Sequence, residues 1–311
     1  MERFRDSVMQ TLTTRAKPQQ QQQGAAADLR TARRDRSMGE IIAETCKLSP
    51  EQVETVLSHQ REHGGRFGQV AIALGFASTD DVMHALAQQF EYPYATDEQR
   101  RLTPELVALN EPFSAQAEAI RAIRSWVMQR VFSEPREVRR ALAIVSPNAG
   151  DGKSFVAANL AVTLAQLGGR TILIDADLRG PRQHEVFNMP NNTGLSGVLS
   201  NRPDKRVVRK VSGVQGLYLL TVGATPPNPL ELIERPVFGL LMRELTTKFD
   251  HVVVDTTAAE FGTDATVIAA RCGAALVVAR KNSSRIGALQ ELSETLGHSP
   301  ANLAGVIVNE F

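Results

Sequence analysis

The spacing of apolar residues in the second half of the chain predicts alternating strands and helices. Short runs of Val, Ile, Leu and Ala recur there, separated by segments long enough to form a helix. Strands covered on both faces have this composition, because neither of their faces contacts water. The predicted strands are Ala141–Ser146, Thr171–Asp177, Gly216–Val222, His251–Thr256, Ala274–Arg280 and Leu303–Asn309. The pattern predicts an α/β fold with a doubly wound, mostly parallel sheet, which binds ligands at the carboxyl ends of its strands.

Residues 37–96 show a different, helical pattern that occurs twice. Gly39 and Gly68 hold equivalent positions in the two units, and the offset of 29 residues is kept along both. A capping sequence that begins at Ser49 or at Ser78 precedes the second helix of each unit. One such unit is too small to bury its apolar face by itself. The two units are therefore predicted to form one small helical domain.

Two other segments complete the predicted domain organisation. Residues 1–36 contain five consecutive glutamines and a cluster of arginines but no apolar periodicity, which predicts a disordered arm. Residues 97–116 are polar and contain Pro104 and Pro112, which predicts a linker with a short helix. The α/β domain then occupies residues 117–311.

Composition narrows the possible functions. The formal net charge of the 311 residues is +1, so no broad electrostatic field attracts nucleic acid, and no nucleic-acid partner is expected. Two cysteines far apart in the sequence suit a reducing cytosol. The apolar runs are too short to cross a bilayer, so no membrane span of its own is expected. We expect a cytoplasmic protein whose membrane role depends on a partner.

The first predicted strand leads into a glycine-rich loop that is typical of phosphate binding. The loop reads Ser-Pro-Asn-Ala-Gly-Asp-Gly-Lys-Ser over residues 146–154, and a helix follows it. Glycines let successive backbone N–H groups point inward, and the helix start adds positive charge. Lys153 would reach the β- and γ-phosphates of ATP, and the Ser154 hydroxyl would bind Mg²⁺. The predicted nucleotide contacts here are Asn148, Ala149, Gly150, Asp151, Gly152, Lys153, Ser154 and Phe155. Pro147 stands where the usual motif has its first glycine.

Carboxylates end two other predicted strands. Asp175 and Asp177 end the second strand, and Asp255 lies near the end of the fourth. Carboxylates at this edge of the sheet can hold Mg²⁺ directly or through water. The predicted metal set is therefore Ser154, Asp175, Asp177 and Asp255.

These motifs resemble those of bacterial tyrosine kinases (BY-kinases) of the exopolysaccharide chain-length-determinant type, which include EpsG-like proteins. The resemblance covers nearly all of residues 117–311. It includes the loop at 146–154 (Walker A), the segment at 173–177 (Walker A′) and the segment at 252–255 (Walker B). It also includes an E-x-x-R-x-x-R helix, here Glu118, Arg121 and Arg124, through which the family's subunits form a ring.

The resemblance implies roles for several residues and a partner. Lys153, Asp175 and Asp177 would be catalytic, with Asp175 acting on the attacking hydroxyl as a base or by positioning it. Asp177 and Asp255 would serve the metal, and Asn309 would lie near the adenine. The partner would be a membrane-anchored regulator of polysaccharide chain length, a polysaccharide co-polymerase, which would place the protein at the inner membrane.

A related group, the MinD/ParA partitioning and division-site ATPases, shares this sheet. In that group a signature lysine lies five residues before the P-loop lysine, at the position that Asn148 occupies here. The difference favours the kinase. The alternative is an ATPase that acts as a nucleotide-driven assembly switch without kinase activity.

Residues 37–96 resemble the N-terminal (MshEN-like) domain of type II secretion ATPases, some of which bind cyclic di-GMP. The second unit keeps Arg66, Gly68 and Gln89 of that pattern, whereas the first unit has Ser37 in place of the arginine. Two functions therefore remain open for this domain, which are cyclic di-GMP binding and protein docking.

Only three tyrosines occur in the chain, and none follows Tyr218. The clustered C-terminal tyrosines on which related kinases phosphorylate themselves are therefore missing from this sequence. Either the acceptor tyrosine lies on another protein, or the ATPase cycle acts as a switch.

Overall fold

The computed structural model describes residues 38–78, 81–82, 85, 104–133, 139–202 and 206–310. The predicted arm at residues 1–36 lies outside these ranges, as do Gln89 and most of the boundary between the predicted domains. The described residues form two compact units, one within residues 38–85 and the other within residues 104–310. No helix in the described ranges has the length and apolar composition needed to cross a membrane.

The N-terminal unit is helical. Its helices are α1 (Met38–Thr45), α2 (Pro50–His63) and α3 (Phe67–Ala73), and residues 81, 82 and 85 are also helical. Ser49 is the N-cap of α2: its hydroxyl accepts from Gln52 N, and the Gln52 amide accepts from Ser49 N. Ser78 and Asp81 repeat this reciprocal arrangement. Both predicted capping sites are thus confirmed.

The buried residues of this unit follow the repeat. Val56 and Ala85 are 29 positions apart, and both are fully buried. Ile42 and Ala71 are also 29 positions apart, and each is at most 1% exposed. Gly68 faces Val82 so closely that a Cβ on it would lie 2.7 Å from a methyl carbon. The equivalent positions of the two units therefore face the interior of this small domain.

The C-terminal unit contains a seven-stranded sheet with the order β3-β4-β2-β5-β1-β6-β7. Its strands are β1 (Ala141–Val145), β2 (Thr171–Asp175), β3 (Val208–Lys210), β4 (Leu217–Leu220), β5 (His251–Asp255), β6 (Gly273–Arg280) and β7 (Asn302–Asn309). Every pairing is parallel except that of β3 with β4. The predicted α/β fold class is confirmed.

The sequence did not predict β3. This edge strand has three residues, and its burial falls from Val208 to the exposed Lys210, so it lacks the apolar run that marks the other strands. Several predicted strands also end earlier than expected. For example, β2 ends at Asp175, because the residues after it turn to bind that carboxylate.

Helices cover both faces of the sheet, as a doubly wound fold requires. One face carries α4 (Val107–Asn110), α5 (Ala115–Arg130), α6 (Lys153–Ala165) and α7 (Gln183–Val186). The other carries α8 (Leu195–Leu199), α9 (Pro229–Glu234), α10 (Pro236–Lys248), α11 (Asp264–Cys272) and α12 (Ile286–Gly297). A short 3-10 turn, Ala259–Phe261, lies between β5 and α11.

The C-terminal part of the predicted linker belongs to the core of this unit. All four residues of α4 are buried, and Ala108 N donates to the Asn159 side chain on α6 at 3.0 Å. The short helix predicted within the segment 97–116 is thus present as α4, the bounds of the predicted linker stay a prediction, and residues 106–110 are buried in this unit. Their short apolar run, Leu-Val-Ala-Leu, packs against α6 instead of standing in solvent.

Candidate nucleotide and phosphoryl-transfer site

The loop between β1 and α6 forms the wall of a cavity at the carboxyl ends of the strands. Gly150 and Gly152 have φ angles of 80° and 97°, a region that favours glycine, and α6 begins directly afterwards at Lys153. The cavity measures about 440 Å³. Its lining residues are Ala149, Gly150, Gly152, Lys153, Ser154, Phe155, Asp177, Arg179, Gly180, Arg182 and Phe261. Six of the eight predicted loop contacts therefore face one cavity.

Asp151 and Asn309 do not line this cavity but brace the loop from behind. The buried Asp151 carboxylate accepts from Asn148 N at 2.9 Å and from Ser284 Oγ at 2.7 Å. Asn309 Nδ2 donates to Asp151 O at 3.1 Å. A Cβ on Gly152 would lie only 2.1 Å from that same Nδ2 atom. The end of β7 thus packs against the phosphate loop. This contact leaves no space for a side chain at position 152.

The start of the loop contacts the 3-10 turn after β5. Glu260 accepts from Ala149 N through Oε1 and from Asn148 Nδ2 through Oε2. The backbone N–H of Glu260 donates to Pro147 O at 3.0 Å. Asn148 holds the position of the signature lysine of the MinD/ParA group. Its side chain is directed to the Glu260 carboxylate of its own chain. Sequence reasoning missed Glu260, because nothing in the spacing of residues 146–154 points to residue 260.

Lys153 is held close to Asp177. Its Nζ lies 3.8 Å from Asp177 Oδ2, and both side chains are about nine-tenths buried. The other carboxylate oxygen of Asp177 accepts from Thr257 Oγ1 at 2.9 Å and from Gly180 N at 2.9 Å. The ammonium group of Lys153 is thus held beside a carboxylate on the wall of the cavity.

Asp175 and Asp255 are both fully buried and are register partners at the ends of β2 and β5. Asp175 accepts three backbone N–H groups, those of Asp177, Arg182 and Gln183, at 3.2, 3.0 and 2.9 Å. Even so, burial and then the neighbouring Asp255 carboxylate raise the pKa of Asp175 well above its usual value. Burial also raises the pKa of Asp255, although the Lys153 ammonium opposes this.

The site formed by the buried carboxylates of Asp175 and Asp255 fits a cation. Asp255 Oδ1 and Gln183 Oε1 are buried acceptors with no hydrogen-bond partner in the described part of the chain. Oxygen ligands of this kind are those that Mg²⁺ prefers. Within the described ranges, however, no three His, Cys, Asp or Glu side chains are arranged to hold a metal by themselves. Mg²⁺ binding here would depend on the Ser154 hydroxyl and on oxygens of a nucleotide.

Gln183 is the second functional residue that sequence reasoning missed. Its side chain donates to Asp255 Oδ2 at 2.8 Å and to Ser154 O at 3.0 Å. These contacts join segments 29 and 72 residues away from Gln183 along the chain. No local sequence signal connects them.

The predicted interface residues lie on α5. Arg121 donates to Glu118 within the same helix, with Nη2 2.6 Å from Oε2. Arg124 Nη1 donates to Thr163 O on α6 at 3.2 Å. Glu118 is 73% exposed at its side chain, so of the three it is the residue most available to another subunit.

Two of the three predicted cyclic di-GMP residues lie in the described part of the N-terminal unit. Arg66 precedes α3, where its N–H donates to Gln69 Oε1 at 3.3 Å, and Gly68 is buried in the helix interface. Gln89 lies outside the described residues. The role of these residues stays a prediction.

A family model described as ParA, NUBPL iron-transfer P-loop NTPase, matches residues 137–215, which contain the phosphate loop and β2. This chain is 36% identical to CapB of Staphylococcus aureus over 205 residues, which are 65% of this chain and 87% of CapB. It is 32% identical to the tyrosine-protein kinase YwqD of Bacillus subtilis, over 67% of this chain and 87% of that protein. Several longer tyrosine-protein kinases match over only 26% to 29% of their length.

Among solved structures, the chimerical protein CapA2B2 superposes with a TM-score of 0.61 at 34% identity. The superposition covers 67% of this chain and 90% of the chimera. Similarity in sequence and in fold thus point to the same group of proteins.

Proposed function

Because this chain belongs to the bacterial family of tyrosine-protein kinases, we propose that it transfers the γ-phosphoryl group of ATP to a tyrosine hydroxyl of another protein. The observation that carries the proposal is that the phosphate loop, Lys153 and Asp177 face one cavity, while the buried Asp175–Asp255 pair ends two adjacent strands. Positioned charges and loop N–H groups supply most of what phosphoryl transfer requires of a protein.

The cavity suggests a division of roles among its residues. The loop N–H groups and Lys153 would bind the phosphates, and Ser154 with Asp255 would hold Mg²⁺, which supplies positive charge to the transferred group when it is bound. Asp177 lies on the cavity wall, where it can orient the acceptor hydroxyl or lie close to the metal. Asp175 is fully buried behind three N–H groups, which favours positioning over direct proton abstraction. The reaction forms an O–P bond to the tyrosine oxygen, breaks the bond between the γ-phosphorus and ADP, and releases the hydroxyl proton to the solvent.

The acceptor tyrosine is proposed to lie on another protein. Tyr218 is part of β4, where its ring packs edge-on against Phe249 at 5.3 Å between centroids. A strand interior cannot bring a hydroxyl in line with the γ-phosphate. Tyr92 and Tyr94 lie outside the described residues.

The proposed setting is exopolysaccharide synthesis or export, with a membrane-anchored chain-length regulator as partner at the inner membrane. The similarity to the chimerical protein CapA2B2 supports a kinase that works with a separate partner. We further propose an EpsG-like, cytoplasmic protein that forms homo-oligomers through Glu118, Arg121 and Arg124. The helical unit is proposed to be an MshEN-like module that docks a protein or binds cyclic di-GMP at Arg66.

Incubating the full chain with γ-labelled ATP, Mg²⁺ and a tyrosine-containing acceptor peptide tests the proposal. Transfer of label to the peptide, lost in a Lys153→Met variant, is the expected result. If the protein binds and hydrolyses ATP but labels no peptide or protein, also when the regulator's cytoplasmic segment is present, the assembly-switch alternative is correct. If it binds no nucleotide, both functions are wrong.

A further inference from the structure

Gln183 joins the three segments that surround the phosphate cavity. It is the first residue of α7 and is fully buried. Its backbone N–H donates to Asp175 Oδ2 at 2.9 Å, and its side-chain Nε2 donates to Asp255 Oδ2 at 2.8 Å and to Ser154 O at 3.0 Å. One residue thus fixes the phosphate loop and both strand-end carboxylates relative to one another.

The chemistry of its partners sets the orientation of the Gln183 amide. Both neighbours of Nε2 are acceptors, a carboxylate oxygen and a carbonyl oxygen, so a flipped amide would place oxygen against oxygen twice. The observed orientation uses both N–H groups and leaves Oε1 as a buried acceptor. In the described residues neither Oε1 nor Asp255 Oδ1 has a hydrogen-bond partner of good geometry, although the Ser154 hydroxyl also interacts with the Asp255 carboxylate.

Buried acceptors without donors are unfavourable, and a bound water or ion is one explanation for those that a structure keeps. Here two such atoms belong to side chains that are hydrogen-bonded to each other. A water molecule, which carries two hydrogens, can donate to acceptors of this kind. Water polarised by Mg²⁺ is a stronger donor than bulk water, and Mg²⁺ usually keeps several of its waters when it binds protein and phosphate.

We propose that Gln183 is a positioning residue for the metal: it holds Asp255 in place, and its Oε1 and Asp255 Oδ1 accept hydrogen bonds from water bound to Mg²⁺. This proposal rests on the Mg–nucleotide site proposed above and deepens it. Gln183 would also link that site to Asp175, because its backbone N–H donates to the Asp175 carboxylate.

Few residues could replace glutamine here. Methionine has a similar length and shape but no donors, so Asp255 would lose the hydrogen bond at Oδ2. Glutamate would set a carboxylate against the Asp255 carboxylate in place of the N–H group. Asparagine is one methylene shorter and cannot span the same three segments.

The test measures Mg²⁺ affinity instead of activity. The full-length wild-type chain and a Gln183→Met variant are loaded with ADP and titrated with Mn²⁺, followed by electron paramagnetic resonance, and with Mg²⁺ in competition. We expect the variant to bind the metal at least tenfold more weakly, whereas its affinity for ADP in EDTA stays within twofold of the wild type. Gln166→Met is the matched control, because its amide donates to Ala108 O at the far end of α6.

A folded Gln183→Met variant with wild-type metal affinity overturns the proposal. If that variant does not fold, Gln183→Glu replaces it: we expect the metal-free protein to melt at a lower temperature and Mg²⁺ with ADP to restore more stability than in the wild type. An equal Mg²⁺ response in the wild type and Gln183→Glu overturns the proposal as well. A wild-type protein that binds neither ADP nor metal would instead contradict the proposed function.

Discussion

Asp175 and Asp255 occupy paired positions at the ends of two adjacent parallel strands, and neither side chain has any exposed surface. Burial removes water from both carboxylates and raises the pKa of each, and the neighbouring Asp255 carboxylate raises the pKa of Asp175 further. The fold therefore maintains a site that is electrostatically unfavourable until a cation arrives. The first prediction follows from this relationship.

Replacing Asp255 with asparagine should stabilise the metal-free protein and weaken Mg²⁺ binding. Because burial raises the pKa of Asp255, removing its charge should increase the free energy of unfolding of the metal-free protein. Thermal unfolding in EDTA measures the gain, and calorimetric titration of Mg²⁺ into the ADP complex measures the loss. A variant that is less stable than the wild type in EDTA would contradict the explanation.

The same pair should give the metal-free protein a defined pH dependence. A folded-state pKa above the unfolded one means that stability is fully present below the unfolded pKa and is lost as pH rises through the folded pKa. The difference in unfolding free energy between wild type and Asp255→Asn should therefore grow as pH rises from about 4. Denaturant unfolding in EDTA at several pH values tests this, because contributions from distant groups cancel in the difference.

Lys153→Met should remove ATP binding and leave the fold intact. The ammonium group is about nine-tenths buried beside Asp177, and its removal leaves that carboxylate with its N–H and hydroxyl donors. We expect ATP affinity to fall at least a hundredfold in isothermal titration, with an unchanged far-UV spectrum. Lys248→Met is the control, since Lys248 pairs with Glu244 on α10. Wild-type affinity in the Lys153 variant would refute the phosphate site.

Gly152→Ala should distort the phosphate loop for two reasons, the positive φ angle of residue 152 and a steric clash with Asn309. The new Cβ would meet Asn309 Nδ2 at 2.1 Å, and the φ angle of 97° is unfavourable for alanine. Gly168→Ala is the matched control: its φ angle is 92°, but no atom lies within 4 Å of the added Cβ. Both variants should lose about 1 kcal/mol or more from backbone strain, and only Gly152→Ala should also lose ATP affinity. Equal ATP affinities in the two variants would show that the contact with Asn309 does not shape the site.

The α5 surface should mediate subunit association through Glu118. Reversing this exposed charge by Glu118→Lys breaks the ion pair with Arg121 and would repel the arginines of a neighbouring subunit. Light scattering with ATP over a range of concentrations should then show a smaller assembly than the wild type forms. Glu111→Lys, an equal charge change just before α5, should leave assembly unchanged. An assembly that is the same in Glu118→Lys and wild type would exclude this surface as the interface.

The sequence by itself determined the fold class, the phosphate loop and the strand-end carboxylates. Strands buried on both faces must be apolar throughout, and a loop that wraps phosphate needs glycine, lysine and serine at fixed spacing, so both features can be read from neighbouring residues. The capping sites at Ser49 and Ser78 belong to the same class, because a cap and its partner lie three residues apart.

Tertiary structure alone decided how the site is held together. Gln183 meets Asp255 from 72 residues away, Glu260 meets Ala149 from 111, and Asn309 meets Asp151 from 158. Edge strand β3 and the buried helix α4 likewise depend on what they pack against, since their own three or four residues carry no decisive pattern. The burial that raises the pKa of Asp175 and Asp255 arises only when the sheet brings β2 and β5 side by side, because a local sequence does not encode the absence of water around a carboxylate.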